Sequence, residues 1–311
     1  MPYWLHTLII VLVVYVAISV ALYYLQDYML FKPEKLSKDF EFNYENQEFK
    51  EYNLETRDGA VINGIRFFPK GENKGVVLYL KGNSKSIKGW GKFAVDFTRH
   101  GYNVLMVDYR GFGKSTGRRS QKAIKRDLQE VYNKIKELTT EDRIILYGRS
   151  LGSGFAAKLA SMNNPRMLIL DAPYYSLTKV TARYAPFMPL SILLKYPLPT
   201  YKWLKYVQCP IHIIHGTNDK LIPFKTSIKF LPTVLEQDYQ YQFNYNFEEL
   251  NFETNDGANL NAIHFKAKNP KGVILYFHGN AGDLSRWGTI AEYFVEKQYD
   301  VLIMDYRTYG K

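Results

Sequence analysis

The stretch Arg143-Ile144-Ile145-Leu146-Tyr147-Gly148-Arg149-Ser150-Leu151-Gly152-Ser153-Gly154-Phe155-Ala156-Ala157 decides the fold. Arg143 to Tyr147 is a short apolar, β-branched run with strand character, and Gly154-Phe155-Ala156-Ala157 begins a helix that can pack closely. Between them Gly148-Arg149-Ser150-Leu151-Gly152 sets a serine between two glycines in the spacing G-x-S-x-G. A strand that passes into a helix through so tight a turn admits only small residues around the serine and lifts its hydroxyl above the sheet. Ser150 is therefore the candidate nucleophile, with a chance glycine-rich turn as the alternative. The same turn puts the backbone N–H of Leu151 at a helix start, where it can donate to a developing alkoxide.

Working outward, short β-branched runs alternate with longer amphipathic stretches. Strands are expected at Gly75 to Leu80, Asn103 to Val107, Arg143 to Tyr147, Met167 to Leu170 and Ile211 to Ile214. Ser120 can cap a helix whose Ile124, Leu128, Val131, Ile135 and Leu138 form one buried stripe. That alternation is the pattern of an α/β fold, a mostly parallel sheet with helices on both faces. The exit loop of an earlier strand, Leu80-Lys81-Gly82-Asn83-Ser84, is placed to supply a second oxyanion donor from the backbone near Asn83 or Ser84, or to be an ordinary strand-to-helix turn. Downstream, Ile211-His212-Ile213-Ile214-His215-Gly216-Thr217-Asn218-Asp219 is a strand followed by a turn carrying a carboxylate. Asp219 is the candidate acid, or else a solvated turn aspartate.

The first 26 residues contain no Asp, Glu, Lys or Arg, and Thr7 to Leu25 is an almost unbroken apolar run of about the length needed to cross a bilayer. A cleaved signal peptide would have a basic start, a shorter core and a small-residue exit. A retained single-pass anchor over residues 1–28 is expected instead. Tyr23, Tyr24 and Tyr28 suit the interfacial belt, and Lys32, Lys35 and Lys38 beyond the helix put the following domain on the cytoplasmic side.

The 311 residues, 46% of them hydrophobic, suffice for one large domain or two modest ones. A single cysteine, Cys209, excludes an intramolecular disulfide. The net charge of +11 suits an anionic membrane surface or a lysine-rich solvated exterior, and no nucleic-acid-binding signature accompanies it. No metal-ligand spacing appears, so neither a metal nor another cofactor is expected. Gly113-Lys114-Ser115-Thr116 resembles the end of a phosphate-binding loop, but Asp108 stands where that loop requires glycine. Ala185 to Tyr206, rich in proline and large apolar residues, reads either as an acyl-binding cap or as ordinary helix-to-strand packing.

An internal repeat reorganises the last quarter of the chain. Phe31, Pro33, Leu36 and Asp39 reappear as Phe230, Pro232, Leu235 and Asp238, and Asp58-Gly59-Ala60 as Asp256-Gly257-Ala258. Gly82-Asn83, Trp90-Gly91, Asp108-Tyr109-Arg110 and Gly113-Lys114 return as Gly279-Asn280, Trp287-Gly288, Asp305-Tyr306-Arg307 and Gly310-Lys311. The organisation expected is an anchor over 1–28, an α/β domain over 29–231, and a truncated second copy of its first half over 232–311, without a serine elbow.

Taken with the anchor, Lys81-Gly82-Asn83, Asp108-Tyr109-Arg110-Gly111-Phe112-Gly113-Lys114-Ser115, the serine turn and His215-Gly216-Thr217-Asn218-Asp219, the chain resembles the membrane-anchored α/β-hydrolases of the serine-aminopeptidase-like branch, similar in pattern to acyl-protein depalmitoylase-like enzymes. The resemblance covers residues 1 to about 231 and, partially, 230 to 311. It implies an α/β-hydrolase fold and cleavage of an ester, thioester or amide, with an acylated or other small-molecule substrate, through an acyl-enzyme on Ser150. Asp219 would orient a histidine, and Leu151 with Asn83 or Ser84 would form the oxyanion hole.

Two departures stand out. Lys81-Gly82 replaces the His-Gly usual in the oxyanion loop, which the second copy keeps as His278-Gly279. The catalytic histidine usual after a last strand has no counterpart, because the helix expected from Pro223 to Phe230 runs straight into the repeat. A serine hydrolase and a hydrolase-shaped binding protein or fused gene fragment therefore both stand as readings.

Overall fold

A computed structural model of the protein describes residues 2–228, 230, 240–254, 259–277 and 284–305. The chain divides into two compact units, Met1–Phe230 and Leu231–Lys311.

The first unit opens with helix α1, Tyr3–Leu30, long and apolar enough to cross a membrane and with no buried residues. Seven strands follow: β1 Phe49–Glu55, β2 Val61–Phe67, β3 Gly75–Leu80, β4 Tyr102–Val107, β5 Ile144–Arg149, β6 Met167–Asp171 and β7 Ile211–Ile214. Their order across the sheet is β1-β2-β4-β3-β5-β6-β7. The pairs from β4 through β7 are parallel, and β1 and β2 form an antiparallel hairpin on one edge. That hairpin is absent from the strands expected from sequence, because Phe49-Lys50-Glu51-Tyr52-Asn53-Leu54-Glu55 is largely polar and Asn63-Gly64 interrupts its partner. All six residues of β3 are buried, as a parallel strand covered on both faces must be.

Helix α2, Gln121–Lys136, is capped by Ser120, whose side chain accepts from the Ala123 N–H, and it buries Ile124, Leu128, Val131 and Ile135. Leu138 does not continue the stripe. The helix ends two residues earlier and Leu138 is exposed, since the backbone turns away before the next period is complete. Helix α3, Leu151–Ala160, begins directly after the serine rather than at Gly154. The helix expected over Pro223 to Phe230 shortens to Lys225–Ile228.

The second unit has four strands, β8 Phe247–Glu253, β9 Asn259–Phe265, β10 Val273–Tyr276 and β11 Asp300–Met304, in the order β10-β11-β9-β8. Its core gathers Tyr241, Ile263, Phe265, Leu284, Val301 and Ile303. Positions of the repeat at 231–239, 256–258, 278–281 and 306–311 lie outside the described residues.

Candidate active site

Ser150 sits where β5 gives way to α3 with φ +51° and ψ −117°, left-handed backbone that an L-residue adopts only when its surroundings fix it. The surroundings do fix it. The Ser150 N–H donates to the Asp171 carbonyl at 2.8 Å, and the Ser150 carbonyl accepts from the Ser153 hydroxyl at 2.6 Å and its N–H at 2.9 Å. The flanking glycines are a matter of space. A Cβ at Gly148 would lie 2.6 Å from Ala156 Cβ and from the Gly152 carbonyl, and one at Gly152 would strike the Leu80 carbonyl on β3. Gly154 meets Tyr174 in the same way. Gly148 and Gly152 therefore let α3 lie directly on the strands that present the serine, and Gly154 admits Tyr174 against the helix.

Leu151 is the first residue of α3, so its N–H has no partner within the helix. The exit loop of β3 comes close on the other side: a Cβ at Gly82 would stand 3.8 Å from Ser150 Cβ. In that loop Asn83 Nδ2 donates to the Leu30 carbonyl at 2.7 Å, the Lys32 N–H donates to the Asn83 carbonyl, and the Lys85 N–H to the Lys32 carbonyl. The end of α1 is thus stitched to the loop. Among the described residues the backbone N–H groups of Asn83 and Ser84 donate to no other protein group. The Ser84 carbonyl accepts from Trp90 Nε1 at 2.8 Å.

Ser150, Leu151 and Asn83 face one cavity of about 650 Å³, and Ser84 is not on its wall. The rest of the wall is mostly apolar, contributed by Leu177, Val180, Phe187 and Leu190 of the segment after β6 and by Ile18, Leu22, Met29 and Leu30 of α1, with Gln26 and Thr181 among its polar members. Of the two alternatives for Ala185 to Tyr206, its first part therefore has the position of a cap. The role of α1 as a wall escaped the sequence analysis. Only the polar Ser19 within its apolar run and Gln26 just beyond it hint at it.

Asp219 occupies the turn after β7. Its Oδ1 accepts from the N–H groups of Leu221 and Ile222, both at 2.9 Å, and Leu221 and Ile222 line the cavity while Asp219 does not. Its Oδ2 lies 3.4 Å from Nε2 of His215, whose side chain is fully buried. The same Nε2 is 2.7 Å from the Ile222 carbonyl and Nδ1 is 2.6 Å from Ser227 Oγ. The tautomer that fits has Nε2–H donating to the carbonyl and Nδ1 accepting from the serine hydroxyl. His215 ties the turn together and is spent in doing so. Of the remaining described histidines, His6, His100, His212 and His264, none lines the cavity. His264 pairs with Asp300 at 3.0 Å in the second unit, and His278 lies outside the described residues.

Lys81, where the resemblance expects histidine, is fully buried. Its Nζ donates to the Lys85 carbonyl at 3.1 Å, lies 3.3 Å from Asp108 Oδ1, and sits 3.7 Å above the Phe112 ring. Asp108 also accepts from the Ile87 N–H. Burial dominates both charges, lowering the Lys81 ammonium to about 8 and raising the Asp108 carboxyl to about 6 against their mutual attraction. This pair holds the loop beside Ser150 from behind. No group of three or more His, Cys, Asp or Glu side chains able to hold a metal occurs among the described residues.

A seven-stranded, mostly parallel sheet with a serine on a strained strand-to-helix turn defines an α/β-hydrolase fold, and solved structures share it. An esterase of Pyrococcus furiosus superposes with a TM-score of 0.51 at 19% identity, covering 66% of this chain and 83% of its own. An α/β-hydrolase of Vibrio vulnificus gives 0.52 at 23%, covering 61% and 70%.

The model of the family described as serine aminopeptidase, S33, matches residues 71–206, which include Asn83 and Ser150 and stop before Asp219. An uncharacterized protein of Mycobacterium tuberculosis is 31% identical over 187 residues, 59% of this chain and 66% of that protein. The lysophosphatidylserine lipase ABHD12 of Xenopus tropicalis is 28% identical over 197 residues, 54% of this chain and 50% of that protein. The chain thus spans between half and two thirds of the length of these relatives. It belongs to the α/β-hydrolase superfamily.

Proposed function

We propose that this protein is a membrane-anchored serine hydrolase that cleaves the ester of an acyl chain through an acyl-enzyme on Ser150. One observation carries the reading: a serine held in left-handed backbone faces an apolar cavity of about 650 Å³. Strained backbone of this kind persists only where the surrounding structure maintains it. A mostly apolar wall of this extent suits an acyl chain. The relatives named as lysophosphatidylserine lipases, and the esterase among the structural neighbours, favour an ester over the thioester or amide that the same chemistry would cleave.

In this reading Ser150 Oγ adds to the acyl carbonyl and passes its proton to a base. The tetrahedral oxyanion accepts from the Leu151 N–H and from the backbone N–H of Asn83 or Ser84, the alcohol leaves with a proton, and water releases the acyl chain. Asp219 is the acid of the triad. Since none of the described histidines lines the cavity, the expected turnover is slow. Losing a triad member from a serine hydrolase costs up to about 10⁶-fold. That same observation favours the second reading, a hydrolase-shaped acyl-binding protein. α1 is proposed as a single-pass anchor with the first unit cytoplasmic, and residues 232–311 as a second copy of the first half of the α/β domain.

Labelling with a fluorophosphonate probe separates the readings. Serine-dependent labelling of the wild type that disappears in Ser150→Ala is expected, and equal signals from both chains would leave only the binding protein.

A further inference from the structure

α1 is an apolar helix, and its polar side chains Tyr15, Ser19, Gln26 and Asp27 all meet one segment. Tyr15 Oη donates to the Phe187 carbonyl at 2.9 Å, and Ser19 Oγ lies 3.6 Å from Met188 Sδ. Gln26 makes a reciprocal pair, its Nε2 donating to the Leu193 carbonyl at 2.9 Å and its Oε1 accepting from the Lys195 N–H at 2.7 Å. Asp27 then receives Lys195 Nζ at 3.2 Å and the Tyr196 hydroxyl at 2.7 Å. The contacts run in register, so residues 187–196 lie along the helix from Tyr15 to Asp27, about 18 Å of its axis at the α-helical rise.

That geometry fixes where the segment sits once α1 crosses a bilayer. Asp27 and Lys195 form a charged pair flanked by Tyr23, Tyr24 and Tyr28, the composition of an interface. Phe187 then lies about 18 Å farther along the helix, well inside a hydrocarbon core about 30 Å thick. The segment is built for that medium. From Tyr184 to Leu194 it contains no charged residue, and Phe187 is 87%, Ile192 80% and Tyr184 66% exposed. In water such a cluster would be an unexplained liability, whereas in lipid it is the outer surface. Backbone groups in hydrocarbon must be satisfied within the protein. Tyr15 and Gln26 supply three such bonds.

We infer that residues 184–194 are inserted beside α1 from the same interface, and that the acyl chain of a bilayer-resident amphiphilic ester enters the cavity sideways from the lipid, with α1 as one wall. Ile18, Leu22 and Met29 of α1 then face the chain, while Asn83 at the cavity floor, tied to the Leu30 carbonyl, marks the level of the headgroup interface. The inference deepens the hydrolase reading by naming where the substrate comes from. It needs no turnover to be tested.

The full chain is reconstituted in phosphatidylcholine vesicles, with an environment-sensitive fluorophore on Phe187→Cys or, separately, Ile192→Cys. A third label on Leu138→Cys serves as reference: Leu138 follows α2 shortly before β5, whose far end carries Ser150. Lipids carrying a quencher on the acyl chain are expected to lower emission at 187 and 192 about twofold or more while leaving 138 unchanged, as for groups below the headgroups. Emission at 187 and 192 as insensitive as at 138 would overturn the insertion.

A monoacyl glycerophospholipid with a diazirine at its chain end, added to the otherwise unmodified Ser150→Ala chain, tests the cavity. Photoadducts on Leu22, Met29 and Val180 are expected, and adducts confined to outward residues of α1 such as Val16 and Val20 would overturn lateral entry. Both measurements stand even if the wild type hydrolyses nothing, so failure of the hydrolase reading and failure of this one remain distinct.

Discussion

β3 and β10 carry nearly the same sequence in opposite surroundings. Gly75-Val76-Val77-Leu78-Tyr79-Leu80 is buried throughout, whereas in Gly272-Val273-Ile274-Leu275-Tyr276-Phe277 the side chains alternate, with Val273 at 65% and Leu275 at 53% exposure. The immediate context barely differs. β3 and β10 each pair in parallel with a following strand, β4 or β11, and that strand pairs with an antiparallel hairpin of matching register, Phe49↔Phe67 or Phe247↔Phe265. Even the aromatic clusters correspond: Tyr44 meets Phe67 edge-on at 4.9 Å, and Phe243 meets Phe265 at 4.9 Å. What β3 has in addition is β5 on its other side and α3 packed on its face. Burial of a strand is decided by its neighbours, and the neighbours of β3 come from the serine elbow itself.

The largest expected contrast comes from one substitution made in both places. Leu78→Lys puts an unpaired charge into the closed sheet and should unfold the first unit, a loss of at least ~4 kcal/mol. Leu275→Lys should stay within about 0.5 kcal/mol and reduce self-association through the open edge of β10. Urea titrations of the two variants check this, and a similar loss in both would mean that β10 is covered in solution.

Next in size is the buried pair behind the loop. Lys81→Met should cost about 3–5 kcal/mol by stranding Asp108, and Lys81→Met/Asp108→Asn should recover most of it. The pair also sets a pH signature. Folded Asp108 holds its proton up to about 6 against a reference of 3.8, so its contribution falls as pH rises from about 4 to 6. Folded Lys81 releases its proton near 8 against 10.5, so the contribution rises again above pH 8. Relative to the double variant, the wild type should therefore be least favoured between pH 6 and 8. Denaturation at pH 5, 7 and 9, reference points chosen on either side of that plateau, would show it, and a flat difference would remove burial as the cause.

The smallest effect concerns what the units share. Asn63 Nδ2 donates to Glu51 at 2.6 Å and Asn53 at 2.9 Å, and Asn261 Nδ2 to Glu249 at 2.7 Å and Asn251 at 3.1 Å. Asn63→Ala and Asn261→Ala should each cost about 1–2 kcal/mol and match one another closely. Unequal losses would show that the resemblance of the hairpins stops at geometry.

The amino-acid sequence by itself determined the features that depend on neighbours in the chain. α1, the capped helix α2, the parallel strands and the turn around Ser150 were all legible, because periodicity, a cap and the small residues of a tight turn are local requirements. The hairpin β1–β2 was not, since its polar edge strand has a weak pattern of its own. Leu138 continued a period that the backbone had already abandoned.

Tertiary structure alone decided the rest. It spent His215 on a buried turn and left Leu221 and Ile222, not Asp219, on the cavity wall. It gave the buried Lys81 its counter-charge, and it laid residues 187–196 along α1 so that this apolar helix became part of the cavity wall. Each of these pairs groups distant in sequence, and their energies arise from exclusion of water and from shape, which no single segment encodes.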